Sequence, residues 1–458
     1  MLHKPSPVFD RIREGVFGLP VIDCHEHMSG PRHMVPVREP IAALIDGYFK
    51  DDLLSAGTEL RTLRVLQDPD MPTERKWPVF EPIWQCAQHT AYARVTKLIL
   101  HDVYGEEEMS LAALHCVAEQ LASRDEAFYW QVLDDANIRI LVTDVLGLSP
   151  GSFEQYLCGE QTFPDRWRVT IPLPLFHVLH SVDIYTRSWE MASSARDWPG
   201  VQLIGSWADR HITSLDEFLE AVFQVFGQAK ARGAVGFKDQ CAYMRSLRYE
   251  LTPRCDAERM FNRLLANPRT VLGWPDAKPL DDYLFHQYMR FARELDLPVQ
   301  IHTGYMAGIF NRVDKANAAH LASVLELHRQ VQFDLIHGNW PYMGDMLFLT
   351  KNYPNVVLNF AWLHMFDPLY AKEMLERAVV SVPHSKVHGF GGDYHDLPEY
   401  CAAHLKIARE VIASSLADLV ERGWLQEDEA LDVAADWLFN NPNQFWKLGF
   451  EPILRRGK

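Results

Sequence analysis

Apolar residues fall into short, nearly unbroken runs rich in Val, Ile and Leu, separated by longer stretches in which apolar positions recur every three or four residues. The short runs are PVIDC (20–24), IRILVTDV (138–145), RVTIPLPL (168–175), AVGFKD (234–239), PVQIHTG (298–304), QFDLIHG (332–338), NVVLNF (355–360) and KVHGFGGD (386–393). Runs that lack apolar/polar alternation predict strands buried on both faces, as in a parallel sheet. The longer stretches predict helices over 214–233, 281–296, 315–330, 341–351, 367–380 and 396–421. The first of these opens on Ser214 with two acidic residues behind it and stops at Gly233, which are helix start and stop signals. Strand and helix in repeated alternation predict an α/β fold, a (β/α)8 TIM barrel. The competing open doubly wound sheet would carry a glycine-rich phosphate turn, and GFGG at 389–392 has the wrong spacing and runs into the charged DYHD. Residues 30–136 read as a helical insertion after the first strand, roofing the barrel mouth, with 1–458 expected to be a single domain. A second insertion, around 241–280, falls on another strand-to-helix loop.

Composition narrows the partners. The 458 residues are 48% apolar and 23% charged, the balance of a folded globular chain with a sizeable core. A net charge of −16 opposes nucleic-acid binding and leaves a small molecule as the expected substrate. No apolar run reaches the ~18 residues a membrane span requires, and MLHKPSPVFDRIREGVFGLP lacks the apolar core of a secretion signal. The seven cysteines are scattered with no CxxC pair, so they are expected to be reduced thiols of a cytoplasmic protein. A homo-oligomer is compatible with all of this.

The candidate chemistry begins at VIDCHEHMSG (21–30), where His25 and His27 follow an apolar run. Residues two apart in an extended segment share a face, so both imidazoles can converge on one object, while Glu26 faces away and Cys24 packs in the wall. Alone, such a pair is more often a hydrogen-bonded feature than a ligand set. Later strand ends add Lys238 and Asp239, His302, His337 and Asp393. In a barrel these ends form one ring. Imidazole and carboxylate donors suit a borderline divalent ion, with Zn²⁺ the expected choice, as one ion or two. Asp393 beside the ion would move a proton between water and leaving group, and His337, if not a ligand, would polarise or protonate the substrate. Arg245 and Arg248 are candidates to bind an anionic substrate by paired hydrogen bonds, and Tyr305, Trp340, Tyr394 and His395 to line the pocket. HVLH (177–180) could set two rings on one helix face but has no carboxylate companion, so it receives no role.

HxH after strand one, Lys on strand four, His on strands five and six and GxD on strand eight together resemble the amidohydrolase superfamily of metal-dependent barrel enzymes. That resemblance spans residues 20–393 in order and implies that His25, His27, His302 and Asp393 hold the metal. Two-metal members would add His337 and a carbamylated Lys238. From the residue alone, Lys238 is equally a substrate-carboxylate clamp or an ion-pair partner of Asp239. GFKDQCAYMRSLRYE (236–250), LPVQIHTGY (297–305) and GGDYHDLPEY (391–400) resemble amidohydrolase-related metal-dependent hydrolases, including domains fused to glutamine-synthetase-like chains. DGYFKDDLLSAGT (46–58) and WLFNNPNQFWKLG (437–449) resemble uronate isomerases. The expected activity is therefore hydrolysis of an amide, ester or related bond in a small polar substrate, one that can carry a carboxylate. Isomerisation of a sugar acid is the alternative, and a noncatalytic binding protein on the same scaffold is a further one.

Overall fold

All eight apolar runs form strands in the computed structural model, which describes residues 3–31, 38–147, 151–179, 200–268, 270, 276–395 and 397–453. They are β1 (Val21–Glu26), β2 (Ile138–Asp144), β3 (Trp167–Pro172), β4 (Gly236–Asp239), β5 (Val299–His302), β6 (Phe333–Ile336), β7 (Val356–Asn359) and β8 (Val387–His388). Each pairs in parallel with the next in chain order. The ring closes through backbone bonds from Cys24 N to Phe390 O (3.2 Å), Asp393 N to His25 O (2.8 Å) and His27 N to Tyr394 O (2.9 Å), which join β1 to the chain just beyond β8. Helices surround the strands, and the result is a (β/α)8 barrel. No helix among the described residues is long and apolar enough to cross a membrane.

Local chemistry explains where elements depart from the hydrophobic pattern. RVTIPLPL stops being a strand at Pro172, because Pro174 opens a short helix, Pro174–His177, in which its missing N–H costs nothing. KVHGFGGD is strand for only two residues, since Gly389 N turns to Trp437 O at 2.8 Å. The single helix expected over 315–330 is broken: Asn317 accepts from Ala319 N with its side chain and starts a new turn, Ala318–Leu321, ahead of the helix Ala322–Leu327. His180 of HVLH lies outside the described residues.

Inside the barrel a belt of polar side chains lies among the apolar ones. Asp334 on β6 accepts from Gln300 Nε2 (2.8 Å) and Asn359 Nδ2 (2.8 Å) and lies 3.1 Å from His388 Nδ1, all of them fully buried. A buried carboxylate survives only when its oxygens are met in this way.

Between β1 and β2 the described chain is helical: Pro40–Asp46, Phe49–Ser55, Leu60–Gln67, Thr73–Ala87, Ala91–Asp102, Leu111–Ala122 and Glu126–Asp135. Thr90, Ser110 and Asp125 start the last three by accepting a backbone N–H, the usual side-chain N-cap. This layer docks on the helix Pro398–Glu421 through Tyr400 OH to Ala43 O (2.6 Å) and the Arg124–Glu399 ion pair. It reaches the barrel mouth through Tyr48 OH, which donates to Asp393 O at 2.6 Å.

The chain beyond β8 needs its glycines. A Cβ on Gly392 would collide with Glu26 Oε1, and one on Gly391 would press on Ala361 and the backbone of His25. Gly392→Ala is therefore expected to lose about 1–3 kcal/mol of stability by overpacking, read as a lower denaturant midpoint at unchanged slope.

Candidate metal centre

The ends of β1 and β8 set the first three groups. His25 on β1 and His27 just beyond its end lie side by side, ring centroids 4.9 Å apart, and the backbone bond from Asp393 N to His25 O brings the third alongside. Asp393 Oδ1 lies 3.2 Å from His25 Nε2 and 3.2 Å from His27 Nε2. Among the described residues these three offer ligand atoms all within 4.8 Å of one another. Lys238 enters from β4 with Nζ 3.3 Å from His25 Nε2. His337 Nε2 lies 3.6 Å from Asp393 Oδ2 and 3.0 Å from His302 Nδ1. Every residue of the ring except His27 and His395 is buried, and His395 stacks on His27 with centroids 5.1 Å apart.

Hydrogen bonds to carbonyls fix the tautomers. A carbonyl only accepts, so the ring nitrogen facing it must carry the proton. His27 Nδ1 faces Asp144 O (3.2 Å), His302 Nε2 faces Tyr305 O (2.6 Å) and His337 Nδ1 faces Ala361 O (2.9 Å). In the neutral rings the opposite nitrogens are then bare. His27 Nε2 turns its lone pair to a carboxylate oxygen, and His302 and His337 turn lone pairs on each other at 3.0 Å. Facing acceptors of this kind are satisfied by a cation, a proton or a metal ion, and imidazole with carboxylate is the donor set of a divalent ion.

The electrostatics differ between the rings. Burial holds His25 down to about 4 and His337 to about 3, and it holds His302 well below its usual value, so these rings stay neutral and able to ligate. Burial also lowers His27, but the hydrogen bond and charge of Asp393 outweigh it and the pKa rises. Asp393 is driven well below the carboxylate range against its own burial by His25, His27 and His337. Lys238 is brought down to about 8 by burial, opposed by Asp144 and Asp393.

The backbone is strained at two of these residues. His337 (φ 69°) and Asp393 (φ 62°) are left-handed, which costs a non-glycine residue about 1–3 kcal/mol and persists where surrounding bonds impose it. Here those bonds are His337 Nδ1 to Ala361 O and the Tyr48 and His25 contacts of Asp393.

Other expected site residues divide. Tyr305 and Trp340 line a cavity of about 510 Å³ beside the ring, under the insertion helix that carries Asp51 and Asp52. Tyr394 is buried, its N–H held by Glu26 Oε2 at 2.7 Å, so Glu26 does face away from the ring. Arg245 corrects the expectation of a substrate clamp: its guanidinium is 1% exposed, pairs with Asp282 and Asp281, and stacks 4.1 Å over Tyr249. Asp239 likewise turns from Lys238 and accepts from Tyr249 OH (2.7 Å), which removes the Lys238–Asp239 ion pair. Sequence reasoning missed Asp144, whose carbonyl orients His27, and Trp362, whose ring packs 5.2 Å from His337. A polar residue ending β2 was the one signal available for Asp144.

Residues 190–419 match the family model described as amidohydrolase. Protein fluG of Emericella nidulans is 28% identical over 226 residues, covering 48% of this chain and 26% of that protein. A uronate isomerase of Xanthomonas axonopodis pv. citri is 24% identical over 316 residues, covering 61% of this chain and 64% of that protein. The chain thus spans less than two thirds of the length of either relative. The solved uronate isomerase of Thermotoga maritima superposes with a TM-score of 0.74 at 14% identity, over 97% of this chain and 98% of that one. At that identity the likeness shows the fold.

Proposed function

From the premise that the chain belongs to the amidohydrolase family, we propose that it is a metal-dependent hydrolase of a small polar amide, ester or lactone, built as one barrel domain over 1–458 with 30–136 as its insertion. The observation that carries this reading is the convergence of His25 Nε2 and His27 Nε2 on Asp393 Oδ1, each 3.2 Å away, with ligand atoms of all three within 4.8 Å of one another.

His25, His27 and Asp393 would hold one divalent ion, of which Zn²⁺ fits the donor set. His302, His337 and Lys238 offer places for a second. When bound, such an ion supplies Lewis acidity toward a substrate carbonyl and acidifies water. Asp393 accepts the proton of the attacking water at Oδ2 and delivers it to the leaving nitrogen or oxygen. His337 has its proton on Nδ1, held by Ala361, so at Nε2 it ligates or accepts a proton and does not donate one while neutral. Tyr48 fixes the Asp393 loop through the carbonyl of that residue.

The cavity beside the ring argues about substrate. Its described lining carries Asp51 and Asp52 and no Lys or Arg. Such walls favour hydroxyl or amino substituents over a carboxylate.

Isomerisation of a uronate is the second reading, and the relatives named uronate isomerase favour it. A panel of N-acyl compounds, esters, lactones and uronates assayed against metal-loaded protein separates the two. Hydrolysis of the first three groups with no turnover of uronates is expected. Turnover of uronates alone would replace the hydrolase with the isomerase, and full activity of metal-free protein would remove both.

A further inference from the structure

Behind β4, on the face away from Lys238, lies a group of side chains that the proposed chemistry does not use. His177 ends the short helix after β3, Asp239 ends β4 and Cys241 opens the turn just beyond it; the parallel pairing of β3 with β4 brings the two chain segments side by side. His177 Nε2 is 3.2 Å from Cys241 Sγ and 3.6 Å from Asp239 Oδ1. All three residues are fully buried.

A thiol, an imidazole and a carboxylate are also the parts of a cysteine nucleophile. Zero exposure of each member leaves no approach for a substrate. Burial also holds the Cys241 thiol well above its usual pKa, so without a cation it is not a thiolate.

We propose that His177, Asp239 and Cys241 form a second, structural metal site that takes a Zn²⁺-class ion through imidazole, carboxylate and thiolate. Metal–ligand distances of about 2.0–2.3 Å in a tetrahedron place an imidazole nitrogen about 3.5 Å from a thiolate sulfur and about 3.4 Å from a carboxylate oxygen, and the observed 3.2 Å and 3.6 Å lie within about 0.3 Å of these. Thiolate plus carboxylate cancels the charge of a divalent ion. That matters here, because the rings of Phe285, Tyr249 and Tyr288 enclose His177 at 5.9, 6.0 and 6.4 Å and would not solvate a net charge. Tyr249 OH, donating to Asp239 Oδ2 at 2.7 Å, orients the carboxylate as an outer partner of a ligand does. The ion enters as the chain folds and staples the turn after β3 to the end of β4, one residue from Lys238.

The 458-residue protein loaded with Co²⁺ tests this, because the ring at His25, His27 and Asp393 contains no sulfur donor. The wild type is expected to show a thiolate-to-Co²⁺ charge-transfer band in the near ultraviolet. Cys241→Ser should lose that band and about one equivalent of metal, while His27→Gln, which removes a ligand of the other centre, keeps the band. Absence of the band from wild-type protein overturns the proposal, as does its persistence with full metal content in Cys241→Ser. If that variant does not fold, His177→Gln with native circular dichroism serves in its place: one equivalent fewer supports the site and unchanged content overturns it.

Discussion

Asp393→Asn is expected to lower kcat by about 10²–10⁴-fold, the usual contribution of a positioned acid–base group, on whichever substrate of the panel the wild type turns over. The amide keeps the shape of the side chain, and the bonds that seat the loop, Tyr48 OH to Asp393 O and Asp393 N to His25 O, belong to the backbone. The change therefore falls on two functions of the carboxylate. It removes the anion that His25 and His27 share at Oδ1, weakening the hold on a cation, and it removes the proton acceptor at Oδ2. Steady-state kinetics with a parallel unfolding curve checks it: kcat collapses while the midpoint stays near wild type. Undiminished kcat in a folded, metal-loaded variant would take Asp393 out of the chemistry.

Arg245→Met is expected to do the reverse. Removing one member of a buried ion pair costs about 3–5 kcal/mol, because the remaining charge is stranded, and Asp281 and Asp282 are each about as buried as Arg245 itself. Lys278 also reaches Asp282, so Asp281 bears most of the penalty. The expected result is a large drop in the urea midpoint at unchanged slope, with KM unchanged for anionic and neutral substrates alike. A substrate clamp would give the opposite pattern, a raised KM and a preserved midpoint.

The fate of Arg245 shows what a linear sequence conceals. Its carboxylate partners lie 36 and 37 residues downstream on the helix Lys278–Glu294, and nothing local to the loop announces them. His177 is concealed for the same reason, since its companions Asp239 and Cys241 lie beyond an intervening strand-to-helix connection and meet it only because β3 and β4 are neighbours. The strands were legible because burial on both faces leaves an unbroken apolar run. The convergence of His25, His27, His302, His337 and Asp393 was legible because they follow strand ends in chain order, and in a barrel those ends form one ring. Backbone groups leave no such mark: the carbonyls of Asp144, Tyr305 and Ala361, which decide the nitrogens that stay bare, belong to residues of any type.

The central claim is that the ring at the mouth of the barrel holds a divalent ion. A crystal structure of the metal-replete protein, with diffraction collected above and below the absorption edge of the bound metal, tests it most directly. An anomalous peak about 2.0–2.2 Å from His25 Nε2, His27 Nε2 and an Asp393 oxygen is the expected result. Fully loaded, active protein with no peak at these three residues would contradict it.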